Sequence, residues 1–414
     1  MTKMNLTCTA LLLSLSVLNF SCKSADSKTD APALTADGKP VSVPNGAPSM
    51  YNALIKTDKK KQSDLDLPFR GFDFDKQITT IATGSCADQN QPQPIWATIE
   101  KNDPDIFIFS GDTLCVPRSD AKASIAEQYR KLKMIPEFRS IRQKVPFIAI
   151  WNDHDYGLVN GGAENPDKEL ARIEFIKHWS YLKTAIPNNQ KGLYHSKIFG
   201  SNGVAGSRRK KGIPKQKQIQ VIVLDTRWDR SELKKNPDDK FDAKAPATDP
   251  VTYPRPYLAE TEKGKHILSN EQWNWLEQEL KKPADLRIIV SPIQVIADDH
   301  NFEKWGNFPN EREKLFVLLQ KTKLKNVIIL SGDRHLGAIA QIEVKKNGPI
   351  VEMTTSGLNR PASANNILAD KTYFKDAYGE PNFGLIKIDW SKHTATLQIK
   401  SLADEVKNSY DVKF

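Results

Sequence analysis

The sequence predicts a layered α/β fold. From Gln77 to the C-terminus, apolar runs of strand length alternate with amphipathic segments of helical length. Polar side chains follow the C-terminal ends of several apolar runs, and functional sites collect at such strand ends in layered α/β folds. After Gly337 the pattern changes and strands follow one another directly.

Each element is predicted from its local pattern, in chain order. The predicted strands are 78–83, 105–109, 146–151, 218–224, 287–291, 326–330, 338–344, 351–355, 383–390 and 394–400. The predicted helices are 94–101, 124–135, 168–182, 273–281 and 310–322. The fourth helix is preceded by a capping box, in which Ser269 is followed three residues later by Gln272.

The N-terminal residues predict export. Residues 1–21 combine Lys3 with a short apolar stretch, which is typical of a signal peptide. Ser21-Cys22 resembles a bacterial lipoprotein cleavage site, so we expect a lipid on Cys22 that anchors the protein to the cell envelope. A plain signal peptide cut nearby is the alternative. Residues 22–75 are predicted to be a tether and irregular lead-in, and residues 76–414 a single catalytic domain.

The net charge indicates which partners the protein favours, and the cysteines indicate whether a disulfide can form. The 414 residues carry a formal net charge of +10, which favours phosphorylated substrates, nucleic acid or an acidic membrane surface. No segment after the signal is long and apolar enough to span a membrane. With Cys8 in the signal and Cys22 lipidated, Cys86 and Cys115 remain, and export permits a disulfide between them.

Four predicted strand ends carry the candidate site. They are Gly84-Ser85-Cys86, Gly111-Asp112, Asn152-Asp153-His154-Asp155 and Gly332-Asp333-Arg334-His335. A two-metal hydrolase needs a carboxylate shared by both ions, and Asp112 is the natural candidate. Cys86 and His335 suit iron or zinc, whereas the carboxylates of Asp112, Asp153 and Asp333 suit calcium, magnesium or manganese.

The order and flanks of these motifs resemble the PhoD-like alkaline phosphatases, within the calcineurin-like metallophosphoesterase superfamily. Further shared motifs are Gln93-Pro94-Ile95-Trp96, Trp151 to Gly157, Leu224 to Arg227, Gln272 to Leu276, Ile293-Gln294-Val295 and Glu303 to Pro309. The resemblance extends from about Ile78 to the C-terminus. It implies a four-layer αββα sandwich of two mixed β-sheets flanked by helices, and metal-dependent hydrolysis of phosphate mono- or diesters.

The resemblance also implies roles for single residues. Cys86 and His335 correspond to ligands of a ferric ion, Asp112 to the bridging carboxylate, and Asp153 and Asp333 to ligands of a second ion, which in this family can be calcium. His154 corresponds to the histidine that contacts the phosphoryl group, and Asp155 is placed to orient it. Arg334 either faces the phosphate or caps a strand, and Gln294 sits where wider relatives place another ligand. Asp225 and Arg227 are interpreted as an ion pair behind the site.

Cys115 departs from the family pattern, which has a tyrosine ligand at this position. Three alternatives remain open: Cys115 ligates the metal as a second thiolate, it forms a disulfide with Cys86, or it is a bystander and the site holds a different metal. Iron with calcium is the expected pair, with zinc, manganese or magnesium as alternatives. Asn152, where relatives often have aspartate, is a milder change.

The expected reaction is attack of a metal-activated hydroxide on phosphorus, assisted by His154. The competing hypothesis is an inactive surface lipoprotein that binds anionic ligands on the same scaffold. Within the enzyme class, a phospholipase or nuclease is a further alternative, which would make phospholipid or nucleic acid the substrate. A monomer is expected.

Overall fold

The computed structural model describes residues 69–115, 121–200, 216–238, 256–300, 302–322, 324, 326–344, 348–362 and 369–414. The signal peptide, Cys22 and the tether up to residue 68 lie outside these ranges, so their predictions stay predictions. Within the described ranges, no helix has the length and apolar character needed to cross a membrane.

The secondary structure follows the predicted alternation closely. The strands are β1 (Thr80–Gly84), β2 (Ile106–Ser110), β3 (Phe147–Ile150), β4 (His195–Phe199), β5 (Ile219–Val223), β6 (Leu286–Ser291), β7 (Val327–Ser331), β8 (Gly337–Val344), β9 (Gly348–Thr355), β10 (Asn382–Asp389), β11 (Thr394–Ser401) and β12 (Val406–Lys413). The helices are α1 (Ile95–Lys101), α2 (Ala121–Met134), α3 (Pro136–Lys144), α4 (Asp153–Tyr156), α5 (Lys168–His178), α6 (Leu182–Ala185), α7 (Asn270–Lys281) and α8 (Pro309–Thr322). Ser269 caps α7 through a hydrogen bond from the Gln272 N–H, as predicted.

The strands form two mixed sheets. The first has the order β12-β11-β10-β1-β2-β3 and the second the order β4-β5-β6-β7-β9-β8. In the first sheet β1, β2 and β3 are parallel, and β10 runs antiparallel to β1. In the second sheet β5, β6, β7 and β9 are parallel. The C-terminal ends of parallel strands lie at one edge of their sheet, so the loops after these strands are grouped together.

Two apolar cores make the arrangement four-layered. Trp96 of α1 packs on Phe107 of β2 with ring centroids 5.2 Å apart, so this helix covers the outer face of the first sheet. The same core includes Val290 of β6, whereas the neighbouring Ile289 belongs to a second core with Leu276 of α7. Successive strand residues point to opposite faces, so β6 separates the two cores. The predicted sandwich of two mixed sheets flanked by helices is confirmed.

The folded part begins before residue 76, within the predicted lead-in. Phe69 packs against Trp179 with ring centroids 4.9 Å apart, and the N–H of Arg70 donates to Arg142 O at 2.8 Å. Phe74 O accepts from Gly200 N at 2.9 Å. Apolar and backbone contacts therefore hold residues 69–74 on the sandwich, although their sequence shows no helical or strand period.

The two sheets come closest at the strand ends that precede the candidate site. A side chain at Gly332, just after β7, would place its Cβ 2.5 Å from Ser85 Oγ and 2.7 Å from Ser110 O, so only glycine fits. Ser110 Oγ donates to Ser331 O at 3.3 Å, and Ser85 Oγ donates to Thr355 O at 3.1 Å. These contacts bring the loops after β1, β2, β7 and β9 to one place.

Candidate metal centre and active site

Three carboxylates from three different strand ends meet in the structure. Asp112 follows β2, Asp153 follows β3 at the start of α4, and Asp333 follows β7. One oxygen of each lies within 4.8 Å of the others. Asp112 and Asp153 are buried, with exposed fractions of 2% and 4%. Bringing three acidic groups out of water at this separation is unfavourable unless a cation or donors balance their charge.

The backbone is strained at the predicted ligands. Cys86, Asp112, Asp333 and His335 have φ angles of 56°, 49°, 72° and 58°. This left-handed region costs a non-glycine residue on the order of 1–3 kcal/mol. Strained residues persist where the surrounding fold imposes them, and they cluster at active sites and ligand clamps. Four such residues at predicted ligand positions therefore support a functional role for this loop group.

The Asn152 side chain holds the carboxylates together. Its Nδ2 lies 3.1 Å from Asp112 Oδ2, 3.3 Å from Asp153 Oδ1 and 2.9 Å from Asp333 Oδ1. Its Oδ1 accepts from Arg227 Nε at 2.9 Å and also from Arg227 Nη2. A guanidinium can only donate, so the amide oxygen must face Arg227 and the amide NH₂ must face the carboxylates. No sequence pattern indicated this orienting role of Asn152.

Arg227 belongs to a buried ion network behind the site. Its Nη1 lies 2.8 Å from Glu303 Oε2, and Arg230 Nε lies 3.2 Å from Glu303 Oε1. All three side chains are almost fully buried. The expected ion pair between Arg227 and Asp225 is wrong, because Asp225 Oδ1 accepts the backbone N–H of Arg227 at 2.9 Å while the guanidinium turns toward Asn152 and Glu303.

Asp155 connects two of the site loops. Its carboxylate accepts from Thr113 N, Thr113 Oγ1, Asn152 N and Tyr129 O–H. It was expected to orient the His154 ring, but these bonds instead fix the loop after β2 to the start of α4. Burial raises the pKa of Asp155 to about 7, and its hydrogen bonds oppose that rise.

The backbone of His154 contacts two of the carboxylates. Its backbone N–H lies 3.2 Å from Asp112 Oδ1 and 3.0 Å from Asp153 Oδ1. Its ring Nε2 lies 3.1 Å from Nη1 of Arg360, which comes from the loop after β9. The histidine predicted to contact the phosphoryl group is therefore next to the acidic cluster and beside a cation that the sequence analysis missed.

The predicted softer ligands lie at the edge of the cluster. Cys86 Sγ is 3.3 Å from Asp112 Oδ2 and 3.0 Å from Ser356 Oγ. Ser356 Oγ also accepts the backbone N–H of His335 at 2.6 Å. Among the described residues, the group with ligand atoms within 4.8 Å of one another contains the three carboxylates and neither Cys86 nor His335.

Cys115 is a buried free thiol, as is Cys86, so the structure contains no disulfide between them. The backbone of Cys115 is bound on both sides by Gln89, which accepts from its N–H and donates to its carbonyl, each at 2.8 Å. Gln89 also donates to Gln128 Oε1 of α2. This network fixes the end of the loop that carries Asp112.

The electrostatics of the cluster favour a cation. Burial, followed by the charges of Asp153 and Asp333, raises the pKa of Asp112 well above its ordinary value. Burial and the charge of Asp153 raise the pKa of Asp333 to about 7. For Asp153 burial also raises the pKa, but the charges of His154 and Arg227 outweigh it and hold the pKa low. Carboxylates that resist ionising beside one another are suited to a hard cation with oxygen ligands.

The softer positions are also shaped by burial. Burial and the charge of Asp112 raise the pKa of the Cys86 thiol well above its ordinary value. Burial and the charge of Arg360 lower the pKa of His335 to about 3. His335 is therefore neutral at physiological pH, the state in which imidazole binds metals.

The two predicted substrate-binding side chains, Gln294 and Arg334, are both buried and make contacts within the protein. Gln294 is buried, donates to Thr354 Oγ1 at 2.8 Å, and lies 2.9 Å from His300 Nε2. The guanidinium of Arg334 is buried with its carbon 4.1 Å from the Phe302 ring centroid.

Comparisons with known proteins agree with the fold. The family described as PhoD-like phosphatase matches residues 217–400. Alkaline phosphatase D of Bacillus subtilis (strain 168) is 22% identical over 218 residues, which are 48% of this chain and 32% of that protein. The match thus spans about a third of the relative's length. A solved structure described as that of PhoD superposes with a TM-score of 0.57 at 16% identity, over 84% of this chain and 70% of the other.

The two helix-flanked mixed sheets define a metallophosphoesterase-like sandwich, and the acidic cluster lies where its strand ends meet. The family match and the curated relative support the PhoD-like phosphatase family, the one that the sequence motifs predicted. The matched segment includes Asp333 and His335, whereas Cys86, Asp112 and Asp153 precede it.

Proposed function

We propose that the protein is a metal-dependent phosphoesterase that hydrolyses phosphate mono- or diesters at the cluster of Asp112, Asp153 and Asp333. The observation that carries the proposal is the convergence of three carboxylates, two of them buried, around the amide of Asn152, with the pKa values of Asp112 and Asp333 raised. A scaffold that only binds anions has no need of a concentrated negative charge. Such a site would repel an anionic ligand unless cations were bound.

The donor set fits two kinds of metal position. Asp112, Asp153 and Asp333 would hold a hard cation, and Cys86 and His335, with Asp112 between the positions, would hold a softer one. Ferric iron with calcium is the proposed pair, and zinc, manganese or magnesium are the other outcomes of a metal analysis. Bound ions would act as Lewis acids and would lower the pKa of a bound water toward neutral pH.

The chain's own residues would position the substrate. The backbone of His154 is held at the cluster, and its ring could donate to a phosphoryl or leaving-group oxygen. Asn152 and Arg227 hold the carboxylates in position, and Asp155 fixes the loop that carries Asp112. Buried donors with fixed partners keep the site organised before the substrate arrives.

The location is part of the proposal. Export followed by lipidation of Cys22 would hold the enzyme at the cell envelope through a tether that ends where Phe69 packs on the sandwich. Incorporation of labelled palmitate into the full chain, and its loss in Cys22→Ala, is the expected result. Release of unlabelled soluble protein by the unaltered chain would contradict the anchor.

The function is tested on protein purified without the signal, without added metal or chelator. Metal content is measured on the same sample as turnover of a chromogenic phosphate monoester and diester. We expect bound metal with turnover of at least one ester, and loss of both turnover and part of the metal in Asp112→Asn. Asp411→Asn, on the exposed edge strand β12, is the matched control and should behave like the unaltered protein. Wild-type turnover in Asp112→Asn would refute the site.

A further inference from the structure

Arg360 lies where a substrate phosphoryl group would arrive. Its Nη1 is 3.1 Å from Nε2 of His154, whose backbone N–H lies 3.2 Å from Asp112 Oδ1 and 3.0 Å from Asp153 Oδ1. The residue lies in the loop after β9 and is partly exposed. It therefore combines a position beside the site with access to solvent.

The backbone around Arg360 is fixed on both sides. Before it, the N–H groups of Gly357 and Leu358 both donate to Ser85 O at 3.0 Å. Asn359 accepts the Asp88 N–H at 2.8 Å and donates to Asp88 O at 2.9 Å.

After it, Ala362 N donates to His335 O at 2.7 Å. The loop is thus attached to the strand ends that carry Cys86 and His335. A guanidinium on such a support loses little freedom when it binds a ligand.

The other arginines near the site are committed to the scaffold. Arg227 and Arg230 are fully buried and share Glu303. Arg334 is buried against Phe302. Arg360 differs from them because its side chain is partly exposed and its Nη1 lies 3.1 Å from Nε2 of His154. A guanidinium presents parallel N–H donors that match two oxygens of one phosphoryl group.

We propose that Arg360 is a substrate-binding residue that grips the non-bridging oxygens of the phosphoryl group in a bidentate manner. This inference rests on the proposed function of the site. In the ligand-free protein the guanidinium contacts His154, and with substrate bound it turns its donors to the phosphoryl oxygens. The same contact retains inorganic phosphate, the product of monoester hydrolysis.

The test measures phosphate binding separately from turnover. Binding of inorganic phosphate to the metal-loaded protein is followed by calorimetry, and kcat and KM are measured on the chromogenic esters. The variants are Arg360→Ala, Arg360→Lys and the control Arg130→Ala, which breaks an exposed ion pair on α2. Metal content is measured for each preparation to show that the metal centre is retained.

Arg360→Ala is expected to weaken phosphate binding and lower kcat/KM by about 10- to 100-fold, the effect of losing charge-assisted hydrogen bonds. Arg360→Lys should recover only part, because a lysine keeps the charge and loses the fork. Added guanidinium ion should partly restore Arg360→Ala. Arg130→Ala should match the unaltered protein.

Two failures are distinguishable. Unchanged phosphate binding in Arg360→Ala, with metal retained, overturns the role of Arg360 even if turnover supports the enzyme. Absence of turnover in the unaltered protein, with phosphate binding that depends on Arg360, supports the role of Arg360 and refutes the proposed catalysis.

Discussion

Replacing Arg227 by methionine tests whether the buried ion network organises the metal centre. The change removes the donors to Asn152 Oδ1 and Gly161 O and leaves Glu303 with one cationic partner. Removing one member of a buried ion pair costs about 3–5 kcal/mol. Because Arg230 Nε stays 3.2 Å from Glu303 Oε1, we expect the lower end, about 3 kcal/mol.

The loss is measured as the free energy of unfolding from urea titrations followed by tryptophan fluorescence. Arg130→Ala, an exposed pair, is the control and should cost about 0–1 kcal/mol. The double variant Arg227→Met with Glu303→Met should lose less than the sum of the two single losses, because it also removes the buried carboxylate that Arg227→Met leaves with one cationic partner.

The single variant Arg227→Met should also have a lower kcat, because Asn152 loses the donor that orients its amide toward the carboxylates. A loss of stability below about 1 kcal/mol, or additive single losses, would refute the network. If Arg227→Met loses the expected stability of about 3 kcal/mol but keeps the kcat of the unaltered protein, the ion network stabilises the fold and does not organise the metal centre.

Three further predictions concern pH, core packing and the lead-in. With the pKa of Asp333 raised to about 7, metal affinity should fall as the pH drops below 7 and binding should release protons, which metal titrations in buffers of different ionisation enthalpy would show; pH-independent affinity would contradict this. Burial and nearby lysine charge lower the pKa of His178, so the folded protein binds no proton there, whereas the unfolded chain does below about pH 6.5, and the free energy of unfolding should fall in acid. Unfolding curves at pH 5 and 7.5 should show a smaller loss of stability in acid for His178→Phe, and an identical loss would refute this role. Phe69→Ala should cost about 2 kcal/mol, less than a fully buried aromatic because Phe69 is partly exposed, and an unchanged melting temperature would mean that the lead-in does not support the fold.

The buried apolar strands were predictable from the sequence, whereas two strands at the edges of the sheets were not. β2, with the sequence Ile-Phe-Ile-Phe-Ser, is buried on both faces and its apolar run has no other explanation. β4 and β12 were missed because both are edge strands whose residues are about half polar. The helix predicted over 168–182 ends at His178, since Trp179 leaves the helical conformation before α6. α3 was missed because its apolar positions are few.

The ligand positions were predictable because each follows a strand, and parallel strand ends converge. Asp112, Asp153 and Asp333 do converge. The residues that support them were not predictable, because Arg227 and Arg360 reach the site from distant parts of the chain through tertiary contacts. A single sequence records such residues as ordinary charged positions.

The left-handed backbone at Cys86, Asp112, Asp333 and His335 limits which substitutions are informative. Alanine at these positions removes a ligand and keeps the unfavourable conformation, so it confounds chemistry with strain. Glycine adopts this conformation without penalty, and asparagine tolerates it about as well as aspartate does. Glycine variants should therefore be inactive and lose less stability than the matching alanine variants, so glycine separates the loss of a ligand from backbone strain at these four positions.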